Sequence, residues 1–270
     1  MAQEEILVDR PEAGVLRVVL NRPDSLNAFT YTMYARLIEI LRGLRHDAAT
    51  RVVILTGTGK GFCSGHDLRN AGKPEFIDDA DLGKAYFGRH VMMELGSIPV
   101  LMRTAPQPII CAVNGTTAGL GYALALAADI TLAASSAKFV NSFHNAATGH
   151  ELGVSYMLPR AVGSQRAAEI LLTSRPVLAD EAERIGLVLR AVPDDKLLGE
   201  ALGIARAILQ NVPLGVWLTK QSLWLNQTAG SLEAAIELEN RAIPLAQSTA
   251  DAAEKRAAFL EKRPPVFGNK

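Results

Sequence analysis

Two cysteines in 270 residues, Cys63 and Cys111, with no CxxC pair, give no basis for a disulfide framework or a cysteine-rich zinc site and fit a reducing compartment. Charge of one sign is missing too. Lys+Arg and Asp+Glu balance at 28 each, so no global field draws the chain to nucleic acid or to an anionic membrane. Long hydrophobic runs are absent: the most apolar stretch, 109–134, is interrupted by Asn114 and Asp129 and makes a poor membrane span. Met1-Ala2-Gln3-Glu4-Glu5 is acidic where a secretory leader is basic, and no apolar segment follows it. These absences together predict a soluble cytoplasmic protein with neither nucleic-acid nor membrane partners.

Three familiar motifs are also incomplete. Gly57-Thr58-Gly59-Lys60-Gly61 lacks the spacing of a phosphate loop and has Gly61 where Ser or Thr would reach magnesium. Gly119-Leu120-Gly121 has Leu124 in place of the third glycine of a dinucleotide fingerprint. His144 and His150 form no HExxH pair, and no metal site is expected.

What is present is the composition of a globular chain, 49% hydrophobic and 21% charged, of a length that suits one large α/β domain or a core with a helical appendage. Gly14 to Leu20 reads as a strand closed by Asn21-Arg22-Pro23. Met33, Leu37, Ile40, Leu41 and Leu44 then fall on one helical face, and Arg51 to Gly57 is a β-branched strand. The theme repeats with a strand at Ile109–Val113, a helix at Leu120–Ala128 and a strand near Ile130–Ala133, which implies a parallel sheet with covered faces. Residues 70–88, carrying Gly72, Pro74, Asp78, Asp79, Asp81 and Gly83, read as a variable loop. Beyond Pro193 helices are expected over Lys196–Gln210, Pro213–Asn226, Leu232–Gln247 and Thr249–Glu261.

Two strand-to-helix corners carry the chemistry. In Gly61-Phe62-Cys63-Ser64-Gly65-His66-Asp67-Leu68 small residues let the backbone approach a ligand; in Asn114-Gly115 through Gly121 they do so at a helix N-terminus, where free N–H groups favour negative charge. Two such N–H groups make an oxyanion hole, whereas either corner alone is equally a tight turn. Phe-Cys-Ser-Gly is not a GxSxG elbow, which argues against Cys63 or Ser64 as a nucleophile.

Asn21-Arg22-Pro23 with Leu26-Asn27-Ala28, then Phe62 to Leu68, Ala112-Val113-Asn114-Gly115, Ala118-Gly119-Leu120-Gly121, Asp129, Ala161-Val162-Gly163, Leu172-Thr173, Ala182 to Val188 and Phe259 to Arg263 follow one another as in the crotonase (enoyl-CoA hydratase/isomerase) family. The chain resembles that family over nearly its whole length. The resemblance implies an α/β crotonase fold, repeated ββα units forming a spiral core, with an acyl-CoA-binding core over 1–195 and a helical oligomerisation region over 196–270. It implies an acyl-CoA enzyme of fatty acid metabolism, with no cofactor beyond the coenzyme A of the substrate, assembled as a homotrimer or a dimer of trimers. The backbone N–H groups of His66 and Leu120 would hold the thioester oxygen, although position 120 is usually glycine in the family. Leu26, Ala28, Ser64, His66, Asp67, Leu68, Arg69, Gly119 and Phe143 would line the coenzyme A and acyl site, with Phe259 and Lys262 reaching it from a neighbouring subunit.

The resemblance also marks a departure. The two glutamates with which the family's hydratases add water are replaced by Ala123 and Phe143, neither of which moves a proton. The only carboxylate in the following stretch is Glu151, which aligns without a gap up to Arg160-Ala161-Val162-Gly163 with an active-site aspartate of dienoyl-CoA isomerases and an aryl-CoA dehalogenase. Glu151 is therefore the expected base, or else the partner of a nearby basic group or loop N–H. His144, His150 and Tyr156 are secondary acid–base candidates, the His66 side chain is another because the resemblance would place it near the thioester, and Tyr122 and Phe143 are candidates to shape the acyl pocket. Three readings stay open here: double-bond isomerisation through Glu151, hydration with non-standard groups, and acyl-CoA binding without catalysis.

Overall fold

A computed structural model describes residues 4–75, 77, 82–144 and 148–270. Ile6–Glu12 (β1) and Val15–Leu20 (β2) form an antiparallel hairpin. The chain returns through Tyr31–Gly43 (α1), whose Met33, Tyr34, Leu37, Ile38 and Leu41 are buried. The Thr30 hydroxyl caps this helix by accepting from the Met33 N–H at 3.1 Å. Val52–Gly57 (β3), Ile109–Val113 (β5), Ile130–Ala134 (β7) and Arg190–Val192 (β10) add in parallel to give a six-stranded sheet ordered β1-β2-β3-β5-β7-β10. Every residue of β5 is buried, as a parallel strand covered on both faces requires.

A second sheet runs Gly61–Cys63 (β4), Thr116–Ala118 (β6), Lys138–Val140 (β8) and Val177–Leu178 (β9). Each turn of the chain supplies a long strand to the first sheet, a short one to the second and then a helix: β3-β4 with Lys84–Thr104 (α2), β5-β6 with Leu120–Ala127 (α3), and β7-β8 with Val154–Val162 (α4). This is the repeated ββα arrangement. Ser164–Thr173 (α5) and Ala179–Arg184 (α6) follow before β10.

α2 corrects the loop expected over 70–88, because the helix begins at Lys84. Its pattern is broken by Gly88, Gly96 and Pro99, which hid it from a periodicity argument. Asp78, Asp79 and Asp81 of that loop lie outside the described residues.

The last four helices, Leu197–Leu209 (α7), Pro213–Leu225 (α8), Leu232–Gln247 (α9) and Ala250–Leu260 (α10), start and stop within a residue of the expected limits. α7 is not an appendage. It lies on β3, β5 and β7, with Leu197, Ala201 and Ala205 in the main core. Among the described residues no single helix is long and apolar enough to cross a membrane; only α7 and α8 taken together, bent by 109°, have that length and composition.

α8 is fastened by a buried charge. Lys220, with 4% of its side chain exposed, donates to the Met102 and Gln107 carbonyls at 2.8 and 2.9 Å and pairs with Asp129 at 2.7 Å. The Asp129 carboxylate also accepts from the Ile109 N–H at 2.7 Å and the Trp224 indole at 2.6 Å, while the Arg103 guanidinium lies 3.2 Å from the centre of the Trp224 ring. One side chain thus ties α8 to α2 and to the strand ends at β5 and β7. Removing one member of a buried pair strands the other charge. Lys220→Met is therefore expected to cost about 3–5 kcal/mol, read as a lower urea midpoint at unchanged slope; a loss below about 1 kcal/mol would mean that α8 is only loosely attached.

Candidate active site

The corner after β3 is held by two asparagines. Asn27, fully buried, donates to the Thr58 and Gly61 carbonyls at 2.9 and 2.7 Å and accepts from the Arg22 N–H at 2.7 Å. Asn114 donates to the Gly59 and Gly61 carbonyls and accepts from the Gly57 N–H, each at 3.0 Å. The glycine-rich segment that imitated a phosphate loop is therefore the clamped joint between the two turns of the spiral.

The two corners meet at their glycines. A Cβ on Gly121 would lie 2.3 Å from the Cys63 carbonyl oxygen, so only glycine lets α3 start against β4. Gly119 has φ +52° and ψ −116°, a conformation side chains disfavour, and a Cβ there would meet the Gly65 Cα at 3.3 Å. Between the corners the Cys63 sulfur accepts from the Gly65 and Gly121 N–H groups. The next N–H on each side, those of His66 and Leu120, finds no acceptor among the described residues. Burial pushes the Cys63 thiol up to about 12, so it is inert as a nucleophile. The Ser64 hydroxyl donates to the Ser25 carbonyl at 3.1 Å.

His66 is bridged to Phe29, whose N–H donates to the Gly65 carbonyl at 2.7 Å and whose carbonyl accepts from the Asp67 N–H at 2.9 Å. Its ring sits against Tyr31 and Tyr34, with centroids at 5.2 and 5.8 Å. Its Nδ1 is buried without a partner among the described residues, and burial lowers its pKa despite Asp67, so the ring is neutral. Leu26, one-third exposed with φ +51°, and buried Ala28 lie beside this corner. Leu68 and Arg69 are exposed. Asp67 is committed elsewhere: its carboxylate accepts from Arg22 at 2.9 Å and from the Asn70 and Arg69 N–H groups at 2.8 and 3.0 Å.

Glu151 lies half-buried just before α4. Among the described residues no hydrogen bond or ion pair reaches its carboxylate, so the ion-pair and loop-cap readings of this residue find no partner here. Burial alone raises its pKa. Tyr34 feels its charge. The Tyr34 phenol is pushed well above its ordinary value, first by burial and then by Cys63, Glu151 and Tyr31, and its hydroxyl makes no hydrogen bond to a described residue. Tyr31 and Tyr34 were missed in the sequence, although a tyrosine within the buried stripe of α1 was a signal, because its hydroxyl needs a partner.

Ala123 and Phe143 are both buried. Phe143 packs edge-on against His150 at 5.8 Å, and Tyr122 against Phe139 at 6.0 Å. Tyr156 is not drawn to the corners; it is half-exposed on α4 with the Arg160 guanidinium 3.6 Å from its ring centre. Phe259 and Lys262 are exposed on and just after α10. That helix and the tail after it meet Gln210, Ala48 and Arg51, at the start of β3, whereas the corners lie at its far end. Within one chain these two residues are not brought to the corners.

The fold and these corners define an α/β enzyme of stacked ββα turns with two glycine-lined strand-to-helix junctions. The family described as Enoyl-CoA hydratase/isomerase matches residues 10–270. A probable enoyl-CoA hydratase, EchA12, of Mycobacterium tuberculosis is 42% identical over 97% of this chain and 92% of its own length. The 1,2-epoxyphenylacetyl-CoA isomerase of Escherichia coli is 36% identical over 98% of this chain and 99% of its own. The crystal structure of a probable enoyl-CoA hydratase/isomerase from Mycobacterium abscessus, 38% identical, superposes with a TM-score of 0.90 over 99% of this chain and all of that one. The chain belongs to the enoyl-CoA hydratase/isomerase family and has the crotonase fold; its relatives are named both as hydratases and as isomerases.

A carboxyl whose pKa rises on folding binds its proton more tightly in the folded state, so its contribution to stability is present at low pH and lost as pH rises through the raised value. Glu151→Gln carries no charge to bury. It is expected to melt above the parent protein at neutral pH and level with it well below the ordinary carboxylate range; equal melting at both would show that the charged form is well solvated.

Proposed function

We propose that the protein moves a proton next to the thioester of an enoyl-CoA and so shifts a double bond, with Glu151 as base. The observation that carries this reading is the half-buried Glu151 carboxylate, unpaired among the described residues; buried Ala123 and Phe143, at the positions where the resemblance puts the hydratase glutamates, support it. Glu151 takes a proton from the α- or γ-carbon, the electron pair flows to the thioester oxygen, and the same proton returns to the other carbon. Negative charge gathers on that oxygen, where the His66 and Leu120 N–H groups are the free donors; such a donor contributes about 10²–10³ in rate. Tyr34, held protonated, and neutral His66 keep the surroundings free of competing charge.

Coenzyme A then lies along Leu26, Ala28, Ser64 and His66 to Arg69, with Asp67 shaping the turn through Arg22, and Gly119 and Phe143 border the acyl group. Phe259 and Lys262 come from a neighbouring copy in a homotrimer or a dimer of trimers. The exposed Trp217, Leu223, Leu232, Ile243 and Leu245 on α8 and α9 support an assembly through residues 196–270. Light scattering is expected to give three or six times 28.9 kDa; a monomer would remove the shared site. The protein works in the cytoplasm, with coenzyme A only as part of the substrate. Hydration through groups other than the usual glutamates is the second reading, favoured by the hydratase names of relatives.

Purified protein, tested on matched 2-enoyl-, 3-enoyl- and 3,5-dienoyl-CoA by the absorbance of the conjugated thioester, is expected to isomerise a 3-enoyl or dienoyl substrate. Glu151→Gln should lower kcat by at least about a hundredfold with little change in KM. Formation of a 3-hydroxyacyl product would instead establish hydration. Binding without turnover on any of them would leave the protein an acyl-CoA carrier.

A further inference from the structure

The residue before the proposed base is held in a way that the base is not. Asn141, just beyond β8, is fully buried. Its amide nitrogen donates to the Leu171 carbonyl in α5 at 2.8 Å and lies 3.2 Å from His150 Nε2, with the Ser174 hydroxyl at 3.5 Å. The Leu171 oxygen can only accept, so the nitrogen of the amide, not its oxygen, must face this side. Its second hydrogen lies toward His150 Nε2 and the Ser174 hydroxyl, and it bonds Nε2 in the tautomer that keeps the ring proton on Nδ1. The ring is further fixed edge-on by Phe143 at 5.8 Å and His144 at 5.1 Å. Burial and then His144 keep the imidazole neutral.

Among the described residues, His150 is the one member of 149–153 whose side chain is bonded to the rest of the protein, at Asn141 and at the Leu171 carbonyl. Directly after Glu151 the chain passes through two left-handed residues, Leu152 at φ +56° and Gly153 at φ +76°, and enters α4. A non-glycine residue in that region costs free energy and persists only where its surroundings hold it. Among the described residues, the segment that presents Glu151 is thus fixed on one side by α4 and on the other by the contacts of His150 and by Thr148, whose N–H and hydroxyl each donate to the Phe143 carbonyl at 3.1 Å.

We propose that His150 is a positioning residue for Glu151, the Asn141–His150 hydrogen bond setting the backbone from which the carboxylate reaches the acyl carbon. This rests on Glu151 being the base. It gives Asn141 and His150 a role in the chemistry without touching the substrate.

His150→Phe keeps a ring of similar shape and removes the acceptor. With enzyme concentration corrected for the folded fraction, kcat on the isomerised enoyl-CoA is expected to fall about ten- to a hundredfold, the effect of displacing a reacting group by roughly 1 Å, while KM changes by less than about twofold. His150→Gln, whose Oε1 sits near the place of Nε2, should recover most of kcat, and His150→Asn, whose oxygen falls short, should not. A residue of merely structural importance would show lower melting temperatures and an unchanged kcat per folded molecule, with no difference between Gln and Asn, and that pattern would overturn the proposal. Glu151→Gln measured alongside separates the two ideas. If it is inactive while His150→Phe keeps full kcat, the base stands and its positioning by His150 fails; if Glu151→Gln stays active, both fail.

Discussion

The structure depends on how closely two backbones approach where β4 and β6 give way to their helices. Gly121 leaves no room for a Cβ against the Cys63 carbonyl, and Gly119 faces Gly65 across a gap that a side chain would close. From this contact follow the direction of α3, the register of the short strands β4 and β6, and the pairing of the two free N–H groups. Asn27 and Asn114 make the approach durable. They satisfy the carbonyls of Thr58, Gly59 and Gly61 at the tight corner, as an interior corner must do for every buried polar group.

A second polar anchor joins the helical end to this core. Lys220 and Asp129 are drawn from parts of the chain 91 positions apart and share their bonds with main-chain groups of α2 and β5. Buried charge of this kind contributes specificity through the penalty for leaving it unpaired rather than through its own attraction. It explains how α8 is held to α2 and to the strand ends, while α7 packs directly on β3, β5 and β7 and α8, α9 and α10 keep apolar side chains in solvent.

Much of the fold was legible. β2, β3, β5 and β7, with their β-branched or continuously apolar runs, and the four C-terminal helices, with clear periods and, for α8, α9 and α10, a proline, serine or threonine start, were found nearly to the residue. β1 was not, because Leu7 to Pro11 alternates no apolar face and pairs only at the sheet edge. α2 was lost to its two glycines and Pro99, whose helical state is decided by packing against α1 and α3 rather than by local preference. At the site, the corner glycines, His66, Leu120 and Glu151 were visible as motif or as the one remaining carboxylate. Tyr31, Tyr34 and Asn141 were not. Tyr31 and Tyr34 matter for meeting His66, and Asn141 for joining His150 to Leu171 of another helix, and no local pattern encodes those meetings.

The sequence by itself determined the alternation of strands and helices, the glycine corners and the presence of Ala and Phe, which move no proton, at positions 123 and 143, since these are matters of residue type, spacing and backbone freedom. Only the tertiary structure decided that Glu151 has no partner among the described residues, that Asp67 is already engaged by Arg22, that Cys63 is sealed between two N–H groups, and that His150 meets Asn141. The reason is physical. A side chain's charge state and hydrogen bonds depend on the distance and burial of groups from other segments, and those are set when the turns of the spiral close on one another.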